Sequence, residues 1–168
     1  MFIKISNLRD GEYFYTFNEP IEEIELELPF YDNFTASVKV SKVHNQLILD
    51  AELSANANFE CDRCASFYKK EVKANYRMVY LFSRNGEEPD SISITYLPVD
   101  ADKIVLDKDF RDYLILAIPM KKLCKEDCKG LCFKCGKDLN EGDCNCEKNQ
   151  ADVRWIPLME LKNKLNIN

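Results

Sequence analysis

Residues 46–64 read QLILDAELSANANFECDRC, and apolar and polar side chains alternate along almost all of this stretch. One face would carry Leu47, Leu49, Ala51, Leu53, Ala55, Ala57 and Phe59; the other would carry Asp50, Glu52, Ser54, Asn56, Asn58 and Glu60. Only Ile48 interrupts the pattern. A period of two residues is typical of a β-strand with one buried face. The pattern therefore predicts a long strand over residues 46–60 that ends at a CxxC motif, Cys61 to Cys64.

The segments on both sides of this strand show the same alternation. Before it, residues 34–42 place Phe34, Ala36, Val38 and Val40 on one face, and His44-Asn45 predicts a hairpin turn. After the CxxC motif, alternation resumes over residues 68–82. We therefore expect the CxxC motif to lie in the turn between two long antiparallel strands, where a tight turn can direct two thiolates toward one ion.

Shorter elements are predicted in the rest of the chain. Residues 1–5 are a weaker strand candidate, and residues 21–28 suit either a strand or a short helix. The polar stretch over residues 83–91 contains Gly and Pro and predicts a loop. A short strand follows over residues 91–97. Asp107 is a candidate N-cap for a helix over residues 107–118, with Phe110, Leu114, Ala117 and Ile118 on one stripe and Pro119 after its end.

These elements predict an α+β fold. We expect an antiparallel, β-rich, barrel-like domain with one long helix over residues 1–120. A cysteine-rich, zinc-ribbon-like segment over residues 121–168 would end in a short helix over residues 157–165. An apolar fraction of 46% in a chain of 168 residues is enough for a buried core.

The cysteines are the chemically most informative residues of the chain. Six of the eight occur in the segment CKEDCKGLCFKCGKDLNEGDCNC, residues 124–146, and Cys61 and Cys64 supply the other two. Thiolates this close together repel one another unless a cation neutralises them or they form disulfides. Two four-cysteine sites would use all eight, and all-sulfur tetrahedral ligation favours zinc in a structural role. The predicted ligands are Cys61, Cys64, Cys124, Cys128, Cys132, Cys135, Cys144 and Cys146.

The spacing leaves more than one grouping of these ligands open. Cys132, Cys135, Cys144 and Cys146 can close one site locally, and Gly136 permits the backbone turn that such a knuckle needs. Cys61, Cys64, Cys124 and Cys128 would then form a second site that connects distant parts of the sequence. The alternative is one site made of Cys124, Cys128, Cys132 and Cys135.

Other uses of the thiols must be weighed against zinc. No secretory signal or membrane-spanning run is visible, so we expect a cytoplasmic protein, in which disulfides are rare. Cys128, Cys132 and Cys135 match the CxxxCxxC spacing of radical S-adenosylmethionine enzymes, but only 33 residues follow Cys135. A redox CxxC needs a thioredoxin-like βαβ context, whereas Cys61 follows a β-strand. A thiol-redox or iron–sulfur enzyme remains the alternative hypothesis.

The remaining residues indicate binding rather than catalysis. His44 is the only histidine, five scattered glycines form no phosphate-binding loop, and no small-molecule substrate is evident. The net charge of −6 argues against a generally basic nucleic-acid binder and favours a basic protein partner. Lys69, Lys73 and Arg77 share the outward face of one predicted strand, and RNA contact through this stripe is the less favoured alternative.

Three segments together resemble the YceD family, the large ribosomal RNA subunit accumulation proteins. They are CDRC at residues 61–64, LILAIPMKKLCKEDCKGLCFKCGKDLN at residues 114–140 and CNC at residues 144–146, followed by a short terminal helix. The eight cysteines occupy the cysteine positions of that family. The chain departs from the family pattern at two positions, with Phe133 and Val153 where proline is common, and neither departure removes a ligand.

The resemblance implies a small bacterial, non-enzymatic factor linked to the accumulation or processing of large-subunit ribosomal RNA. Its partner would be a ribosomal protein or the large-subunit ribosomal RNA precursor, and it would have no membrane association. The zinc ions, expected to number two, would stabilise the fold that presents the binding surface.

Overall fold

Two compact units make up the chain, Met1–Cys124 and Lys125–Asn168. The computed structural model describes residues 1–83, 93–146 and 153–165. The loop predicted over residues 83–91 lies outside the described residues from residue 84 onward, as does the beginning of the strand predicted over residues 91–97. The division of the chain at residue 120 stays a prediction.

The first unit is built mainly from β-sheet. Its strands are β1 (Phe2–Lys4), β2 (Gly11–Pro20), β3 (Phe30–Val43), β4 (Gln46–Glu60), β5 (Phe67–Ser83), β6 (Ile94–Pro98) and β7 (Lys103–Val105). A 3₁₀ helix, Ile21–Ile24, follows β2, and helix α1 spans Asp107–Leu116. Strands β2-β3-β4-β5-β6 form one sheet in that order, and β1 and β7 form a second, two-stranded sheet. The β-rich architecture predicted from the sequence is confirmed.

The three long central strands follow the alternation in the sequence. Leu49 of β4 lies opposite Val40 of β3 and Met78 of β5. All seven apolar positions predicted on the inner face of β4 are buried. His44 has a φ of 53° at the β3–β4 turn, a left-handed conformation that suits a tight hairpin. The central β-meander is therefore determined by apolar periodicity and turn chemistry.

The sheet differs from the prediction at its edges. The barrel-like closure is not confirmed, because in the described residues the sheet runs from β2 at one edge to β6 at the other. Strand β6 pairs in parallel with β5, so the sheet is mixed rather than purely antiparallel. Strand β2 was not predicted, although Tyr13, Tyr15 and Phe17 alternate along it. The intervening Phe14 makes that period harder to recognise.

Helix α1 covers the inner face of the large sheet. The ring of Phe110 is fully buried, and its centroid lies 5.9 Å from that of Phe17, 6.0 Å from that of Phe34 and 6.5 Å from that of Tyr76, all edge-on. Such aromatic pairs add stabilisation beyond the apolar area that they bury. Tyr76 also stacks on Tyr113 of α1, with ring centroids 4.1 Å apart. This aromatic cluster attaches the helix to three strands.

Helix α1 is shorter than the sequence predicted, whereas the terminal helix predicted over residues 157–165 is present and begins one residue earlier. Helix α1 has 10 residues and ends at Leu116, two residues before the predicted end. In the second unit, a 3₁₀ turn, Val153–Trp155, precedes helix α2, Ile156–Leu165, which also has 10 residues. The expectation of one long helix is therefore not confirmed. No helix in residues 1–83, 93–146 or 153–165 is both long and apolar enough to cross a membrane.

Candidate metal centre

The CxxC motif occupies the turn that joins β4 to β5. The N–H of Cys61 donates to the carbonyl oxygen of Ser66 at 2.9 Å, and the N–H of Ala65 donates to the carbonyl oxygen of Cys61 at 2.9 Å. Ala65 adopts a left-handed φ of 58°, which tightens the turn. Both cysteines are buried, and the sulfur of Cys64 lies 3.0 Å from the Ser66 hydroxyl oxygen. The hairpin therefore holds both thiols in fixed positions at one end of the sheet.

A pair of hydrogen bonds holds the segment after α1 against this turn. The N–H of Asp62 donates to the carbonyl oxygen of Lys122 at 2.8 Å, and the N–H of Lys122 donates to Oδ2 of Asp62 at 2.6 Å. Two residues farther along the chain, the sulfur of Cys124 lies 3.6 Å from that of Cys64. These two hydrogen bonds thus help to place a thiol from the end of the first unit beside the CxxC motif.

The structure gathers the eight thiols into two groups of four. One group contains Cys61, Cys64, Cys124 and Cys128, and the other contains Cys132, Cys135, Cys144 and Cys146. Within each group the sulfur atoms all lie within 4.8 Å of one another. A tetrahedral ion with metal–sulfur bonds of ~2.3 Å requires sulfurs ~3.8 Å apart, so the donor sets fit such an ion. Each group could hold one metal ion with four sulfur ligands.

The second group is built on a short knuckle. The N–H of Cys132 donates to the carbonyl oxygen of Lys137 at 2.8 Å, and the N–H of Gly136 donates to the carbonyl oxygen of Cys132 at 2.8 Å. Gly136 has a φ of 73°, and an added Cβ would meet no atom within 4 Å. The glycine is needed for its left-handed backbone conformation rather than for space. The turn places the Cys132 and Cys135 thiols in one group with Cys144 and Cys146.

Asn140 is a positioning residue that sequence reasoning missed. Its Nδ2 donates to the sulfur of Cys128 at 3.3 Å and to Oδ1 of Asp138 at 2.7 Å, while its Oδ1 accepts the N–H of Lys129 at 2.9 Å. An amide that donates to a thiolate stabilises the charged sulfur and orients it. No sequence pattern marks this role, because it depends on contacts with Cys128 and Lys129 that only the folded backbone brings about.

In the first group, hydrogen bonds to the sulfur of Cys61 shift the pKa of that thiol. Burial acts to raise the pKa of the Cys61 thiol. The backbone N–H groups of Cys124, Arg63 and Cys64 outweigh that effect and lower the pKa to about 6. Cys61 is therefore prepared to be a thiolate, the form that binds metal.

In the second group, the pKa values of Cys132 and Cys146 are shifted in opposite directions. Backbone N–H groups of Cys135 and Lys134, together with the Cys144 thiol, lower the pKa of Cys132 to about 6. Cys146 is the opposite case, because its hydrogen bond to Cys135, followed by burial, raises its pKa to about 12. One thiol of the group is thus ionised at neutral pH, and another keeps its proton until a cation displaces it.

The basic stripe of Lys69, Lys73 and Arg77 lies on the outward face of β5, where the sequence placed it. Two of its charges have acidic partners: Arg77 Nε lies 2.6 Å from Asp50 Oδ1, and Lys73 Nζ lies 3.0 Å from Glu71 Oε2. Lys69 Nζ lies 5.1 Å from the centroid of the Tyr31 ring. The neighbouring carboxylates partly neutralise the stripe, and its role in RNA binding stays a prediction.

Comparison with known proteins shows that all eight cysteines lie inside a region that matches a protein-family model. A family model described as "Large ribosomal RNA subunit accumulation protein YceD" matches residues 49–162, a segment that contains all eight cysteines. No solved structure matches the chain.

Curated relatives match about two thirds to three quarters of the chain. It is 25% identical over 156 residues to "Large ribosomal RNA subunit accumulation protein YCED homolog 1, chloroplastic" of Arabidopsis thaliana, covering 77% of this chain and 48% of that protein. The Zea mays protein of the same name is 26% identical over 66% of this chain and 47% of its own length. A protein of Mycobacterium tuberculosis named as uncharacterized is 24% identical, covering 74% of this chain and 59% of that protein.

Proposed function

Because the chain belongs to the YceD family of large ribosomal RNA subunit accumulation proteins, we propose that it supports the accumulation of large-subunit ribosomal RNA. The names of the two plant relatives carry the same description. The chain spans about half the length of those relatives. Its activity and partners are therefore proposed for this chain rather than transferred from the relatives.

The role that we propose is non-enzymatic, and the two complete sets of four thiols carry this part of the proposal. A catalytic zinc site keeps one position for water or substrate, whereas four sulfurs fill a tetrahedral shell. The set of soft thiolate donors favours zinc among common ions, although iron can also be bound by four cysteines. We propose one structural zinc ion in each group.

The chain would act as an adaptor that binds a ribosomal protein or the large-subunit ribosomal RNA precursor in the cytoplasm. Its net charge of −6 favours the protein, because phosphate would be repelled by the surface as a whole. The carboxylates beside Lys73 and Arg77 also disfavour phosphate binding, because they partly neutralise these two positive charges. A basic ribosomal protein is therefore the partner that we favour.

A genetic experiment tests this function. Cells of the source organism that lack the chain should contain less large-subunit ribosomal RNA relative to small-subunit ribosomal RNA, measured by quantitative RNA blotting. Re-expression of the wild-type chain should restore the ratio, and a variant with Cys61→Ser and Cys144→Ser should not. An unchanged ratio in cells that lack the chain would overturn the proposal.

A further inference from the structure

Strand β2 presents a long edge that is paired on one side only. All ten of its residues, from Gly11 opposite Lys42 to Pro20 opposite Asn33, pair with β3 without a shift in register. In the described part of the chain, no strand pairs with its other side, and no backbone hydrogen bond joins Gly11–Pro20 to a loop. Along an edge strand every second residue directs its N–H and C=O outward. This edge therefore offers a row of free backbone donors and acceptors.

Two features that commonly block such an edge, an internal proline and a bulge, are missing from β2. Edge strands are commonly protected by internal proline, by bulges or by charges on the inner face. The proline of β2 is its last residue, and its pairing with β3 is regular. Its inner face carries Tyr13, Tyr15 and Phe17, and a charge occurs there only near the end of the strand, at the exposed Glu19. These three aromatic side chains are only half-buried, whereas the inward side chains of β3 and β4 are buried. One additional strand would cover them.

The charge around this edge defines the strand that would fit. Residues 10–38 contain eight acidic residues and no lysine, arginine or histidine. The acids are Asp10, Glu12, Glu19, Glu22, Glu23, Glu25, Glu27 and Asp32. Within the described residues, ion pairs form only at Glu12, with Lys39, and at Glu25, with Arg111. Unneutralised carboxylates thus lie within β2 and on both sides of it in the sequence.

We propose that the outer edge of β2 binds an extended, lysine- and arginine-rich segment of a partner protein by strand addition. Backbone hydrogen bonds to β2 would supply affinity. Apolar residues at alternate positions would cover Tyr13, Tyr15 and Phe17. Basic residues at the end of the segment would meet Glu19, Glu22 and Glu23 at the end of β2 and in the 3₁₀ helix that follows. This inference deepens the adaptor role proposed above and rests on it for the identity of the biological partner.

A synthetic peptide provides the direct test. The probe is a ten-residue peptide of alternating valine and lysine, added to the full chain, with hydrogen–deuterium exchange measured residue by residue by NMR. At saturation, outward-facing amides of β2 should exchange at least about tenfold more slowly, because they become hydrogen-bonded. A peptide of the same sequence, N-methylated at alternate residues on its pairing edge, should give no protection.

Charge variants give a matched control for the partner chemistry. Combined Glu19→Gln, Glu22→Gln and Glu23→Gln should weaken peptide binding about tenfold at low salt. Combined Glu52→Gln, Asp100→Asn and Asp102→Asn alters the net charge equally and should leave binding within about twofold. Equal losses in the two variants would mean that only the overall charge matters, which would overturn the proposal.

Three further results would overturn the inference: no protection of β2, equal binding of the N-methylated peptide, or protection of β2 by a second copy of the chain or by an RNA oligonucleotide instead.

The peptide experiment and the genetic experiment can fail independently of each other. If the chain sustains ribosomal RNA accumulation but does not bind the peptide, the β2 inference alone is wrong. If it binds the peptide but ribosomal RNA is unaffected by its loss, the proposed function alone is wrong.

Discussion

Asp62 and Lys122 are 60 positions apart in the sequence and exchange two hydrogen bonds, one between their backbones and one from the Lys122 N–H to the Asp62 carboxylate. Both bonds use backbone atoms of Lys122. They therefore fix the position of the backbone at Lys122 and not merely that of its flexible side chain. Cys124 follows two residues later, with its sulfur 3.6 Å from that of Cys64. This contact therefore contributes to assembling the first group of thiols.

Replacing the Asp62 carboxylate should loosen that group without removing a ligand. In Asp62→Ala, the N–H of Lys122 loses its acceptor, and Cys124 becomes less well positioned. We expect about tenfold faster loss of zinc to a chromogenic chelator, the scale typical of residues that orient metal ligands. Asp62→Asn keeps an acceptor oxygen and should fall between Asp62→Ala and wild type. An Asp62→Ala rate equal to that of the exposed control Asp100→Ala would contradict this prediction.

Removing one ligand should release one of the two ions and expose a defined stretch of chain. Cys61→Ser should lower the zinc content from two ions to one and speed tryptic cleavage after Lys121 and Lys122, because the segment after α1 loses its attachment to the CxxC turn. Zinc analysis and limited proteolysis with mass spectrometry would measure both effects. Cys146→Ser is the matched control, because it should also lose one zinc ion, but from the second group. Unchanged cleavage at these two lysines in Cys61→Ser would show that the CxxC cysteines do not share a metal ion with Cys124 and Cys128.

Zinc binding by the second group should strengthen as pH rises. The thiolate of Cys132 is available above a pKa of about 6 and becomes protonated as the pH falls through that value. Cys146, with its pKa raised to about 12, must release a proton to the solvent when zinc binds. Calorimetric titration of Cys61→Ser between pH 6 and 8, in buffers of different ionisation enthalpy, should show proton release and an affinity that increases with pH. An affinity independent of pH would contradict this prediction.

The aromatic cluster under α1 should be a major contributor to stability. Phe110→Ala would remove a fully buried ring that contacts Phe17, Phe34 and Tyr76. We expect the free energy of unfolding in urea to fall by about 3–5 kcal/mol. Leu116→Ala, at a position that is 76% exposed on the same helix, should change it by less than about 0.5 kcal/mol. Similar losses in the two variants would show that α1 does not pack as described.

Local patterns made the central sheet predictable. Residues 34–42, 46–60 and 68–82 alternate cleanly because each strand buries one face, and the turn at His44-Asn45 fixes the register between the first two. The two edge strands of this sheet, β2 and β6, show no comparably clear alternation of apolar and polar residues. Strand β2 buries its aromatic side chains only partly, and the parallel orientation of β6 against β5 is not indicated by sequence periodicity.

The candidate metal centre was predictable to a similar degree. Close spacing permitted the local group at Cys132, Cys135, Cys144 and Cys146 that the structure has, but it also permitted a site of Cys124, Cys128, Cys132 and Cys135. The other group was one of two possibilities, because the spacing does not show that the β4–β5 turn approaches the end of the first unit. Asn140 and the acceptor role of Asp62 could not be derived from the sequence, since both depend on a geometry that only the folded backbone defines.

We propose above all that eight thiolates hold two structural zinc ions and that the thiols carry out no redox chemistry. Native mass spectrometry of the purified chain, combined with elemental analysis and a visible absorption spectrum, tests it most directly. We expect two zinc ions for each chain, no iron and no absorbance in the visible range. Iron with acid-labile sulfide, or a chain that carries no metal and has its cysteines in disulfides, would contradict it.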